Sequence, residues 1–514
     1  MRFLSFAACA AAAAVLLCGC GGGENSSEVK KNTAAGTAYL EMRPADSLDP
    51  LKTDKKSVRD VLSACYEPLF TIDKNISPKG VIAKSWSMDD DAKTVTVSIK
   101  EGILWHDGKK LTAADVVYTV DKLKNLPDSP YRFAVKYVAS AEAEDNYTVK
   151  FKLTRPYAQF VYSLYFPIEP SHAEELDETV VGCGAYKLKE YTKDDRLVLD
   201  KFDSWHGGDA ACKIIDVSIV RDRESASSSF LSGMLTAISG DSFDLSNNAL
   251  KDDMRATAYP SSRYEYIAFN HERSIFSSSG VRSAVSNAID RSEIVSECYG
   301  SYADAANIPL HPSGKDIAPS PTLSAYDLDN AMEMLFYEGY GTNESDILLN
   351  EKGEPFGFTL LVNEENAARC RAADIIASQL LKAGMTVRVT RTDYETYKSL
   401  IERREYDAYL GGTVAGNIYD FEYLLSADGE LNNYGYRSNY MELALSNMAN
   451  SPSRGSFEEA ALNFGEVFVR EEPVCGLLFV RDAVVSARTL KNAPSPTLFS
   501  PFANIADWEI LSKN

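Results

Sequence analysis

The chain has 514 residues, 45% of them hydrophobic and 25% charged. This is the composition of a soluble globular protein of about two to four domains, and it argues against a disordered chain, a collagen or an integral membrane protein. The formal charge of −21, from 53 basic and 74 acidic residues, repels phosphate backbones and anionic lipid surfaces and disfavours a nucleic-acid partner.

In chain order, Met1 and Arg2 give a short positive start, and residues 3–17 form an Ala-rich apolar run broken only by Ser5. The run is too short for a comfortable membrane span and fits a secretory signal. Residues 17–20 (LCGC) resemble a bacterial lipobox. That resemblance implies a signal peptide of 1–19, cleavage before Cys20 and lipid attachment to Cys20, where several acyl chains give stable anchoring. The polar tract 20–36 then reads as a flexible tether that reaches roughly 20–25 Å as a coil. Six cysteines remain, Cys65, Cys183, Cys212, Cys298, Cys370 and Cys475, and none sits in a CxxC spacing, so neither a redox nor a zinc motif is supported. Disulfides and buried free thiols both stay open.

Residues 37–42 read as a first strand, and 95–99 and 147–153 alternate at period two, as half-buried strands do. Thr112 reads as the N-cap of a helix with Asp115 at N3, followed by Val116, Val120 and Leu123 at helical spacing. Asp327 caps a second helix that Gly339 stops. From residue 358 the pattern is most regular: strand 358–362, helix 367–383, strand 387–390, helix 394–403, strand 407–411. This β-α-β-α-β order predicts an α/β fold with a parallel sheet. Ligands of such sheets bind beyond the carboxyl ends of the strands. Two loops fall there, 363–366 (NEEN) and 411–419 (GGTVAGNIY). In them Asn363, Thr413, Asn417 and Tyr419 offer polar groups, and Gly411, Gly412 and Gly416 allow close backbone approach; an ordinary glycine turn is the alternative.

The usual catalytic constellations are missing. There is no GxSxG, P-loop, GxGxxG or HExxH motif, and the five His are scattered, so the sequence nominates no catalytic residue, cofactor or metal ligand. The acidic run Asp89-Asp90-Asp91 lacks the Gly and terminal Glu of a calcium loop and reads as a turn.

Several separated segments instead resemble one family. Residues 83–87 (AKSWS) lead through a strand to 100–108 (KEGILWHDG) and 111–118 (LTAADVVY). Upstream lies 65–69 (CYEPL); downstream follow 182–188 (GCGAYKL), 196–208 (RLVLDKFDSWHGG), 266–270 (YIAFN), 281–291 (VRSAVSNAIDR) and 432–436 (NNYGY). In this order the set resembles the family 5 extracellular solute-binding proteins of ABC importers, the oligopeptide-, dipeptide- and nickel-binding group.

The resemblance implies a two-lobed, type II periplasmic-binding-protein-like α/β fold with an extra small domain. The first lobe would take 37–60, 180–265 and 483–514, the small domain 61–179 and the second lobe 266–482, with three chain crossings as the hinge. It further implies a monomer that closes on a peptide or a related small polar solute, then docks on a permease with its ATPase. Trp86, Trp105, His106 and Asp107 carry the resemblance and read as structural. Peptide binders of the family usually hold the ligand's amino group with an Asp where Gly416 stands here; Asp420, four residues on, is a substitute. Arg369, Arg371 and Arg43 are candidates for an anionic ligand, against the alternative of solvated surface residues. Three other readings accompany this one: a metal-chelate or haem receptor of the same fold, a secreted hydrolase such as an amidase or glycosidase, and a signalling receptor.

Overall fold

The structure, a computed structural model, describes residues 36–172, 180–240, 250–300, 302–314 and 326–510. The signal segment, Cys20 and all of the tether but Gly36 lie outside the described residues.

The first body is built on two sheets. Strands Thr37–Met42, Ile214–Ile219, Arg196–Lys201 and Tyr186–Thr192 are adjacent in that order; the first pair is parallel and the others antiparallel. Beside them a three-stranded antiparallel sheet sets Asp482–Ala487 between Ala237–Ser239 and Met254–Tyr259. Leu40, Val217, Leu199, Val484 and Trp508 share one core beneath the two sheets. The apolar faces of both sheets are thus buried by one another, which is what holds the chain's start, middle and end in one lobe.

The small body is an antiparallel sheet of Ala83–Met88, Thr94–Ile99, Thr148–Leu153 and Val138–Asp145. Its second strand buries every other residue, as the period-two pattern predicts. Helix Ala113–Lys124 covers the sheet, and its Thr112/Asp115 capping box is formed. Trp105 is fully buried, with its indole N–H 3.4 Å from Asp115. His106 Nδ1 accepts from the Gly182 amide at 3.1 Å, so Nε2 carries the proton and donates to the Gly184 carbonyl, also at 3.1 Å. Burial pulls this imidazole down to about 4, which keeps it neutral. A Cβ on Gly182 or Gly184 would collide with the backbone of Cys65 or Ala64. The GCG stretch is therefore a packing surface that ties 64–66 to 182–186.

The second lobe is a six-stranded sheet in the order Ala303–Ala305, Val474–Val480, Arg263–Phe269, Ala408–Val414, Gly357–Asn363, Thr386–Thr392. The last three strands are mutually parallel and joined by helices Ala367–Lys382 and Tyr394–Glu402, which is the predicted β-α-β-α-β unit. Its last strand runs three residues beyond expectation, to Val414, because residues 408–414 pair along the whole of the antiparallel strand 263–269. The chain passes between this sheet and the three-stranded one at 260–262 and again at Arg481.

Candidate functional site

A cavity of about 900 Å³ lies where the three bodies meet. The first lobe lines it with Arg59 and Tyr66, the small body with Tyr131, Phe133 and Tyr165, and the second lobe with Thr413, Gly416, Asn417 and Asp420. Phe499, from the returning C-terminal segment, stacks on Tyr165 with centroids 3.8 Å apart. A second cavity of about 910 Å³ lies between the 45–52 segment and helix Ala113–Lys124, but no residue of the second lobe lines it.

The loop that follows strand Ala408–Val414 is clamped to the small body. Asn417 Nδ2 donates to the Gln159 carbonyl at 2.9 Å and to Ser163 Oγ at 2.7 Å. Tyr165 Oη donates to the Gly416 carbonyl at 2.8 Å, and Tyr157 Oη to Asp420 at 3.1 Å. Arg155 pairs with Glu422, which also accepts from Tyr137 Oη at 3.1 Å. Burial, and then the Glu422 charge, push the Asp420 carboxyl above its ordinary range; Lys136 and the Tyr157 hydroxyl act the other way.

The residues singled out from the sequence divide. Thr413, Gly416, Asn417 and Asp420 line the cavity. Tyr419 lies beneath the loop instead, its ring 5.0 Å from Tyr162 and 5.4 Å from Phe457. Arg43, Asn363 and Arg371 lie away from the cavity. Arg43 is 3.3 Å from Glu41, Arg371 donates to the Cys298 carbonyl at 3.3 Å, and Asn363 is buried at the end of its strand. Strand order explains the division. Strand 408–414 pairs with crossing strand 263–269, so its end opens at the junction of the lobes, whereas strand 357–363 is one place further out.

Two expectations are corrected here. Arg369 is not a solvated cation: it makes a bidentate pair with Glu265 at 2.6 and 2.9 Å, both side chains largely buried. Gly411 and Gly412 do not open the backbone to a ligand. A Cβ on Gly412 would collide with the Arg369 guanidinium, and one on Gly411 would lie 2.7 Å from the Tyr409 ring. At Gly416, by contrast, the nearest atom to an added Cβ is Phe133 Cβ at 3.7 Å.

Sequence reasoning missed Arg59, Tyr131, Phe133, Tyr165, Arg263 and Phe499. They come from segments with no shared motif, and no local pattern marks them.

Two lobes joined by crossing segments, with a cavity walled by both, are the architecture of a cleft-type binding protein. The family model for bacterial extracellular solute-binding proteins, family 5 (middle), matches residues 77–435, and the chain belongs to that family. It is a solute-binding protein of the ABC-importer class and not an enzyme. The chain is 28% identical over 360 residues to the glutathione-binding protein GsiB of Pectobacterium atrosepticum, covering 68% of this chain and 67% of the other. It is 27% identical over 374 residues to the oligopeptide-binding protein AppA of Bacillus subtilis, with the same coverage. Among solved structures, the ABC transporter substrate binding protein CtaP of Listeria monocytogenes superposes with a TM-score of 0.77 at 23% identity, over 93% of this chain and 99% of that one.

Proposed function

We propose that this chain captures a short peptide or a similar dipolar solute in the cavity where its three bodies meet, and hands the closed complex to a membrane permease driven by an ATPase. The observation that carries the reading is the cavity itself. Its volume of about 900 Å³ falls within the ~300–1,000 Å³ typical of small-molecule sites. Its walls mix aromatic rings with charges of both signs, which suits a ligand carrying an ammonium, a carboxylate and apolar side chains. Asp420 supplies the counter-charge for the ammonium, in place of the acidic residue absent at Gly416, while Thr413 and the Gly416–Asn417 backbone edge the same wall. The names of the relatives GsiB and AppA, a glutathione-binding and an oligopeptide-binding protein, support a peptide-like ligand. The described lining includes neither His nor Cys, so it favours an organic solute over a directly ligated soft metal ion.

Closure follows from differential contact: a solute touching both lobes stabilises the closed arrangement by the contacts it lacks in the open one. The lipid at Cys20 holds the monomer at the membrane, and the 20–36 tether keeps it near the permease. Native mass spectrometry of the purified protein, followed by denaturation and identification of what is released, tests the reading. A carried peptide or other dipolar solute is expected. A protein that releases nothing and gains no mass with peptide pools refutes it.

A further inference from the structure

The cations around the cavity are not equivalent. Lys56 lies 2.8 Å from the Asp60 carboxylate. Arg263 pairs with Asp482. Lys136 sits over the Tyr137 ring at 4.8 Å and faces Asp420 and Glu422. Arg132 is exposed and lies over the Phe133 ring at 4.0 Å. Arg59 differs from all four. It projects from helix Lys56–Leu62 and donates through Nη1 to the Thr53 carbonyl at 2.8 Å. That acceptor is neutral, and among the described residues Arg59 has no carboxylate partner. A half-buried guanidinium with unspent donors, facing a cavity, favours an anion there.

The surroundings of Arg59 are aromatic. Its charge acts on Tyr131 and Tyr165, whose rings are 5.9 Å apart edge to face, and Tyr165 stacks on Phe499. These rings form a low-polarity wall beside the cation, where a charge-assisted bond is stronger than in water. The acidic groups of the second lobe that line the cavity, Asp420, Glu422, Asp428 and Glu430, lie on the opposite body, while on the side of Arg59 the carboxylates of Asp60 and Glu67 are taken by Lys56 and by Trp205 and His206.

We infer that Arg59 holds the anionic group of the solute, a carboxylate in a peptide, against the Tyr131–Tyr165–Phe499 wall. This rests on the proposed function and adds an orientation: the anionic end lies on the first lobe and the cationic end on the second. A solute so placed bridges the lobes with opposite charges, and closure requires both ends.

The test compares an equimolar library of tripeptides bearing free C-terminal carboxylates with the same library as C-terminal amides. Binding to the purified full chain is read by native mass spectrometry and competition. Wild type is expected to favour the free acids by about 10- to 100-fold, the range of one hydrogen bond to a charged group. Arg59→Met is expected to lose that preference while binding the amides as wild type does. Arg59→Lys is expected to keep part of it. Equal binding of acids and amides by wild type, a preference that survives Arg59→Met, or an equal loss of both libraries in the variant overturns the assignment and leaves the proposed function standing. Wild type that captures neither library overturns the assignment, and if denaturation also releases no solute it overturns the proposed function as well.

Discussion

The side-chain amide of Asn417 donates to Ser163 Oγ at 2.7 Å, joining the second lobe to the small body across 254 residues of sequence. A loop that the sequence marks for ligand contact thus uses its best hydrogen-bonding side chain to tie the second lobe to the small body. Asn417→Ala would strand the Gln159 carbonyl and the Ser163 hydroxyl, at a cost of about 1–3 kcal/mol in the closed arrangement. We expect small-angle scattering to show a larger radius of gyration for the variant and solute affinity to fall about 5- to 100-fold. A variant identical to wild type in both would remove the clamp from the mechanism.

The Arg369–Glu265 pair predicts a stability effect rather than a binding one. Breaking a buried, bidentate pair from one side leaves an uncompensated charge, worth about 3–5 kcal/mol. Arg369→Met or Glu265→Gln should lower the denaturation midpoint accordingly, and replacing both together should recover most of the loss. Arg371→Met, which breaks one bond to a carbonyl, should cost about 1 kcal/mol. Equal effects at 369 and 371 would contradict the geometry.

Stability should also depend on pH through Glu169. Lys122 bridges Asp49 at 2.7 Å and Glu169 at 2.6 Å, linking the first lobe to the small body. Burial, and then the Asp49 charge, push Glu169 from 4.5 up to about 8. Burial is the largest single influence on Asp49 and raises it, but the hydrogen bonds from Lys122, Glu169 and the Leu51 amide, with the Lys122 charge, together outweigh it and hold Asp49 below its usual range, outside this window. Between about 4.5 and 8 the folded chain holds a proton on Glu169 that the unfolded chain has released, so the contribution of this group to stability falls as pH rises through that interval. Below about 6.5 the buried His106, His271 and His311, pulled down to about 4, 3 and 4, slope the other way, so thermal melts should show the declining Tm from about 6.5 to 8, and Glu169→Gln should flatten that part of the profile. A slope that persists in the variant would assign it to other groups.

Asp420 should separate stability from binding. Its raised carboxyl means that the ionised form is disfavoured by folding, so the charge costs stability once pH passes above its folded value. Asp420→Asn should leave Tm unchanged or higher while weakening an ammonium-bearing solute by about tenfold or more. A variant less stable and equally tight would show that the carboxylate serves structure alone.

Anchoring is tested at Cys20. In cells fed labelled palmitate, the wild-type chain should carry label and sediment with membranes, while Cys20→Ser should carry none and be released. Label retained by the variant would rule out lipid attachment at that residue.

Local chemistry made much of this protein legible in its sequence. Alternation at period two buries one face of strand 94–99, the Thr112/Asp115 capping box satisfies a helix start with residues three apart, and the 3.6-residue pattern of 367–382 forces a crossover between parallel strands. Each depends on neighbours within a few bonds, so the pattern alone suffices. Tertiary structure decided which polar groups remain available. Arg369 looks like a free cation until Glu265, 104 residues earlier in the chain, neutralises it. Asn417 looks like a ligand contact until Ser163 takes its amide. Arg59 carries no motif, yet burial beside Tyr131 and Tyr165 without a carboxylate gives its charge a purpose. Charge compensation is a pairwise, long-range property of the folded chain, and no spacing along the backbone encodes it.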